Sequence, residues 1–528
     1  MDCRGGQRAV VLWCVGLLLV PSARAELTCA DVFTDHMVLQ RDKPVPVWGW
    51  ARPGQEVTVR FAGRQSSAVA DERGRWQAVL APLKLSTKPR TMTVSVAGAG
   101  QPVTFEDVLV GDVWLCSGQS NMGRDVNRSI LPKGMRWEHS QIRYWGAGKS
   151  ERYPVERFAA REDRPEGPRW RVCGNEESTR KCCAVGFFFA RRVQQDVRVP
   201  IGLLWQAWAG SIIQEWVPPR AWRREPSLAD LADKVDGWFP DTPHGRAVWK
   251  QRLAEIGTWL DKAETSLNQG TPFPFPQPRM PEPGERDVCG FYNGKIHPIV
   301  PFAVKGVLWY QGESDQRNAR WAVMLKALAA SWRDAFDLDG AGENIPFYWM
   351  QIQRSGDYCS PLVRQQQLRA LKLVPNSGMA VLLDLDVNVH PANKVDSGVR
   401  LALWALNRDY GRKDVVPSGP LYRRHRAEGD KVIVEFDYAE GGLRVGQKDL
   451  LNEPTLRDAG ELPNVELAGK DKRWHAARTR LDGKRLVARS DRVAEPLHVR
   501  YCYKNIPDPP FLYGAAGLPA AAFTTLEQ

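Results

Sequence analysis

Val108-Leu109-Val110-Gly111-Asp112-Val113-Trp114-Leu115 runs straight into Cys116-Ser117-Gly118-Gln119-Ser120-Asn121-Met122. The first stretch is short, apolar and rich in valine, the pattern of a strand buried on both faces. The second carries a glycine and small polar residues, the composition of a tight turn. The same reading applies further on. Residues 201–205, 305–310 and 380–385 read as buried strands, and 185–195, 321–336 and 394–406 as helices. Strands alternating with helices predict a mostly parallel sheet.

Either side of this α/β region the pattern changes. Val45-Pro46-Val47-Trp48-Gly49-Trp50 and Val57-Thr58-Val59-Arg60-Phe61 are short β-type runs between glycine-containing turns, and 26–105 reads as a small β-sandwich-like domain. From 417 to 528 the β pattern returns, with a hairpin expected around Asp482-Gly483. The central domain is therefore expected over 106–416. Inside it, 218–288 reads as an insertion: it opens on Pro218-Pro219, is helical over 247–267 and is proline-rich over 272–283. Such a segment can cap a site or decorate the surface, and both readings stay open.

Arg4 and Arg8 precede an apolar run over 9–20, and Ala23-Arg24-Ala25 fits a signal-peptidase site. Residues 1–25 are read as a secretory signal, because the run is shorter than the roughly 20 residues that span a bilayer. A secreted or periplasmic location follows as the expectation, with no membrane insertion. Eight cysteines lie beyond residue 25, and in an exported protein some of them are expected to pair, with connectivity open. No CxxC occurs, so no structural metal site is expected. The formal charge of +12 is spread among acidic residues without a dense basic block, which argues against a nucleic-acid partner. The 21 tryptophans suit both a core and a sugar-stacking surface.

Four loops follow buried strands, and each carries a residue type that acyl chemistry needs. Ser120 can serve as a nucleophile if a base takes its proton. His390, in Val389-His390-Pro391, stands where the C-terminal edge of a parallel sheet assembles its site, and can be that base. Gln311 can donate an amide hydrogen to a developing oxyanion, and Gly210 can offer a backbone N–H at close range. Asn121 and Glu313 are candidate substrate contacts. The segment is not G-x-S-x-G, since Met122 fills the last position, which disfavours the elbow of α/β-hydrolases.

These stretches, together with Asp35-His36-Met37-Val38-Leu39-Gln40-Arg41, Tyr292-Asn293-Gly294 and Gly517-Leu518-Pro519-Ala520, resemble the sialate O-acetylesterase family of the SGNH hydrolase superfamily. The resemblance covers nearly all of the chain after residue 25. It implies a three-layer α/β/α, flavodoxin-like hydrolase domain with flanking β domains, and hydrolysis of acetylated sugars through an acetyl-enzyme. Ser120 is then the nucleophile and His390 the general base. The oxyanion hole comprises the Ser120 N–H, the Gly210 N–H and the Gln311 side chain, and no cofactor or metal is needed. Two departures stand out. Many relatives carry Asp two residues before the histidine, where this chain has Asn388, so Asp386, Asn388, Asp384 or a backbone carbonyl are the candidates to orient the ring. Ala209 stands where relatives often have glycine. An acetylxylan-type esterase and a non-catalytic glycan-binding protein are the alternatives.

Overall fold

The apolar run around Val110 extends into one long strand, β1 (Ala99–Gly118), because valine and aromatic side chains fit a pleated surface covered on both faces. This structure, a computed structural model, describes residues 27–526 except 147–167, 279–287 and positions 239, 339, 341 and 357. The expected signal segment 1–25 lies outside the described residues, as does part of the insertion.

Six further strands lie along the main path of the sheet that contains β1: β2 (His139–Gly146), β3 (Arg169–Cys173), β4 (Ile201–Ala207), β5 (Gly306–Tyr310), β6 (Phe347–Gln351) and β7 (Ser377–Val381). Their order is β3-β2-β4-β1-β5-β6-β7. β3 pairs antiparallel with β2, and every other pairing along this path is parallel. The helices are α1 (Ala184–Val197), α2 (Trp321–Phe336), α3 (Pro361–Leu373) and α4 (Lys394–Asp409).

Alternation along β6 sorts these helices onto two faces. Phe347 meets Trp332 of α2, and Trp349 donates its indole N–H to the Gln367 carbonyl of α3. Tyr348, between them, stacks on Trp404 of α4 and on Trp114 of β1, which in turn meets Phe189 of α1. α1 and α4 approach closely at Gly398, where an added Cβ would lie 2.5 Å from the Val185 carbonyl oxygen.

The N-terminal strands are joined to this sheet through β1, whose first half pairs with Ser86–Val96 and whose middle pairs with Val38–Gln40. The C-terminal strands form three small sheets, including the hairpin of Arg478–Asp482 and Arg485–Arg489. Buried Arg364 of α3 fastens this region to the central sheet. Its guanidinium donates to the carbonyls of Lys504 and Asn505, both at 2.8 Å. The insertion's long helix, Pro243–Gln269, is largely exposed. The earlier part of the insertion is tied to the α2 region by Arg320–Asp230 and Lys326–Glu225 ion pairs.

Two expectations change. The run 380–385 is not one strand: β7 stops at Val381, and the chain turns so that the Asp384 carboxylate meets Arg400 at 2.6 Å. The eight cysteines are all buried, and no disulfide joins two of them among the described residues. No described helix is long and apolar enough to cross a membrane.

Candidate active site

Register brings three strand ends level. Ala207 of β4 and Tyr310 of β5 both pair with Gly118 of β1. The loops bearing Ser120, Gly210 and Gln311 therefore leave the sheet side by side, where the chain order reverses direction around β1.

Gly118 is required by its surroundings. Its φ is +133°, and an added Cβ would lie 2.1 Å from the Tyr310 carbonyl oxygen. Beyond it, the Gln119 N–H donates to that carbonyl at 2.9 Å, and the Gln119 side-chain oxygen accepts from the N–H groups of Gly312 and Ser314. Ser120 then opens a single helical turn, Ser120–Gly123. Its N–H stands at the start of that turn, where a helix offers no internal partner. The neighbouring loop is held by the Trp208 N–H, which donates to the Gly118 carbonyl at 3.0 Å. Two residues on, Gly210 has φ +71° and open space around its α-carbon.

His390 Nε2 lies 2.8 Å from Ser120 Oγ. The acids considered for orienting the ring are engaged elsewhere. Asp384 is paired with Arg400. Asp386 accepts from the Ala392 N–H, and Asn388 accepts from the His390 backbone N–H at 2.9 Å. Both shape the loop, and among the described residues no carboxylate bonds Nδ1 of the ring. Partial burial, and then the positive charges of Arg124, Lys394 and Arg128, hold the imidazole down at about 4. The neutral ring, the form that accepts a proton, therefore prevails above that pH. The acid limb of kcat/KM on p-nitrophenyl acetate is expected near pH 4, with activity rising as pH increases through it. A titration from pH 3 to 8 checks this, and a limb at the ordinary histidine value of about 6.5 contradicts it.

Three residues have other duties than expected. Gln311 is buried, with its amide hydrogens directed to the Ser211 carbonyl at 3.2 Å and to Asp315 at 2.5 Å. Its oxygen accepts from the Trp321 indole. With both hydrogens committed, Gln311 braces the Gly210 loop rather than offering a donor to an oxyanion. Asn121 and Glu313 are also closed to substrate, being 0% and 1% exposed. They bond to each other, and Asn121 reaches the Val389 carbonyl.

Four site residues were not anticipated: Gln119, Asp315, Gln353 and Lys394. One signal for Lys394 was present, since a lysine in the first turn of a helix opposes the helix dipole and needs another reason to be there. Among the described residues, no group of three or more His, Cys, Asp or Glu could hold a metal ion.

The chain is similar to several known proteins. Residues 294–403, which include Gln311, Glu313, His390 and Lys394, match the family described as carbohydrate esterase, sialic acid-specific acetylesterase. The sialate O-acetylesterase of Mus musculus is 28% identical over 449 residues, covering 78% of this chain and 78% of the mouse chain. That of Homo sapiens is 26% identical over 454 residues, covering 80% and 78%. Among solved structures, a carbohydrate acetylesterase from Xanthomonas citri is 28% identical, covers 95% of this chain and 100% of its own, and superposes with a TM-score of 0.73. With these matches, the chain is a relative of the sialate O-acetylesterases and an ester hydrolase.

Proposed function

We propose that the chain is a secreted carbohydrate O-acetylesterase acting through a serine acetyl-enzyme. The observation that carries this is the 2.8 Å contact of Ser120 Oγ with a histidine held neutral by its surroundings. Ser120 Oγ attacks the acetyl carbonyl carbon as its proton passes to His390 Nε2. The N–H groups of Ser120 and Gly210 receive the oxyanion. The intermediate collapses, the bond to the sugar oxygen breaks, and His390 returns the proton to that oxygen. Water then attacks the acetyl-enzyme with His390 again as base, releasing acetate and restoring the serine.

The fold reading that goes with this is a three-layer SGNH-type hydrolase domain over 106–416, flanked by β domains over 26–105 and 417–528, the first of which shares the strand β1 with it. The segment 1–25 acts as the export signal. An acidic sugar of the sialate type is favoured over neutral xylan, because Arg124 and Arg128 place positive charge beside the reacting histidine. The names of the mouse and human relatives, both sialate O-acetylesterases, point the same way.

The test is acetate release from O-acetylated sialic acids and from acetylated xylan, with a fluorophosphonate probe read by mass spectrometry. Acetate from the sialic acids and an adduct on Ser120 are expected. Release from xylan alone moves the substrate to neutral glycans. Absence of both acetate and adduct leaves a glycan-binding protein and overturns the proposal.

A further inference from the structure

A lysine and a glutamate lie buried immediately behind the serine and histidine, and ester hydrolysis uses neither directly. Lys394 is 0% exposed and Glu313 1%. Between them sits the Asn121 side chain, also buried. Lys394 Nζ donates to Asn121 Oδ1, and Asn121 Nδ2 donates to Glu313 Oε1. A lysine ammonium only donates and a carboxylate only accepts, so the pair fixes which way round the amide stands. In that orientation the second hydrogen of Asn121 Nδ2 reaches the Val389 carbonyl at 2.8 Å. A second amide follows the same scheme: Gln353 Nε2 donates to Glu313 Oε1 at 3.1 Å and to Val389 O at 2.7 Å. Tyr310, at the end of β5, donates its hydroxyl to the Gln353 oxygen.

Asn121 follows Ser120 in the chain, and Val389 precedes His390. The bond between them therefore ties together the residues adjoining the two reacting groups. We propose that Lys394 and Glu313 are positioning residues, which clamp Asn121 so that the Val389 carbonyl, and His390 with it, is held within reach of Ser120. This rests on the Ser120–His390 reading and assigns the clamp the work that an acid on Nδ1 does in a triad. The device acts on the backbone beside the histidine rather than on its ring.

The groups facing Lys394 are Glu313, Arg124, Asp386, Cys183 and the Tyr310 ring, and those facing His390 are Ser120, Arg124, Arg128 and Lys394. Burial brings Lys394 down to about 7 and raises Glu313. Removing one charge alone strands the other, so the informative variant removes both: Lys394→Met with Glu313→Gln. The glutamine oxygen still accepts from Asn121 and Gln353, and removing two buried opposite charges together leaves neither one uncompensated. Only the hold on Asn121 Oδ1 and the two charges are lost.

On p-nitrophenyl acetate this double variant is expected to lose about 100-fold in kcat, with KM within about 3-fold. Its acid limb should move up from near pH 4, since one cation facing His390 is gone, while thermal unfolding stays close to the parent. A merely structural role gives the reverse: lower thermal stability, with kcat per folded molecule and the acid limb unchanged. That result overturns the proposal. Ser120→Ala run alongside separates the two levels: if it is inactive and the double variant is fully active, the clamp alone is wrong, whereas activity in Ser120→Ala removes the reading beneath it.

Discussion

Replacing Ser120 by alanine is expected to lower kcat/KM on p-nitrophenyl acetate by about 10⁶-fold, with thermal unfolding unchanged. The size follows from what is removed. The hydroxyl is the atom that forms the bond to the acyl carbon, and no other hydroxyl or thiol is bonded to His390 among the described residues. Folding is insensitive because the turn is held by its backbone and by Gln119, whose N–H and side-chain oxygen bond the Tyr310–Ser314 segment whatever residue 120 carries. A half-buried hydroxyl leaves little void. A loss below about 10-fold would remove Ser120 as the nucleophile.

His390→Ala is expected to cause a loss of similar size, and the pair of substitutions together no more than either alone. Two groups acting independently would multiply their effects to about 10¹². Groups that act as one unit do not, because the serine without its base is already as poor a nucleophile as water can replace. Preparations of the two single variants and the double variant, matched by the concentration of folded protein, decide this. A further large drop in the double variant would mean that His390 works on something other than the Ser120 proton.

The elements that carry the site differ in how far local sequence determines them. β1, β4 and β5 end in turns with glycine or small residues, and the buried runs before them are mostly apolar, so their ends could be placed without tertiary information. β6 and α3 were not anticipated. Phe347–Gln351 is only five residues long and is followed by Ile352-Gln353-Arg354. Polar residues there suggest a loop, yet they are buried because their partners come from elsewhere. Gln351 exchanges two hydrogen bonds with Ala522, and Arg354 reaches the carbonyls of Leu385 and Pro507.

Gln311 illustrates the same limit within the site. Its residue type suits an oxyanion donor, and its position beside Ser120 follows from the register. Its role is decided by Asp315, Ser211 and Trp321, and only Asp315 lies within four residues of it. The missing acid was legible as Asn388. What replaces it depends on Lys394, 273 residues from the Asn121 it bonds, and no local pattern encodes that meeting.

β1 also bears on how such a chain can be inherited. Its 20 residues are a single uninterrupted strand, pairing with Ser86–Val96 in its first half and delivering Ser120 at its far end. A boundary drawn at 105/106 divides that strand in two. The N-terminal region is therefore not an appendage that recombination could exchange for another module. A gene fusion or deletion ending there would take half a strand with it and free the root of the segment that bears the serine. Variation in this lineage is expected to enter at the exposed helix Pro243–Gln269, where the sheet is not interrupted, and the N-terminal strands should travel with the serine loop as one heritable piece.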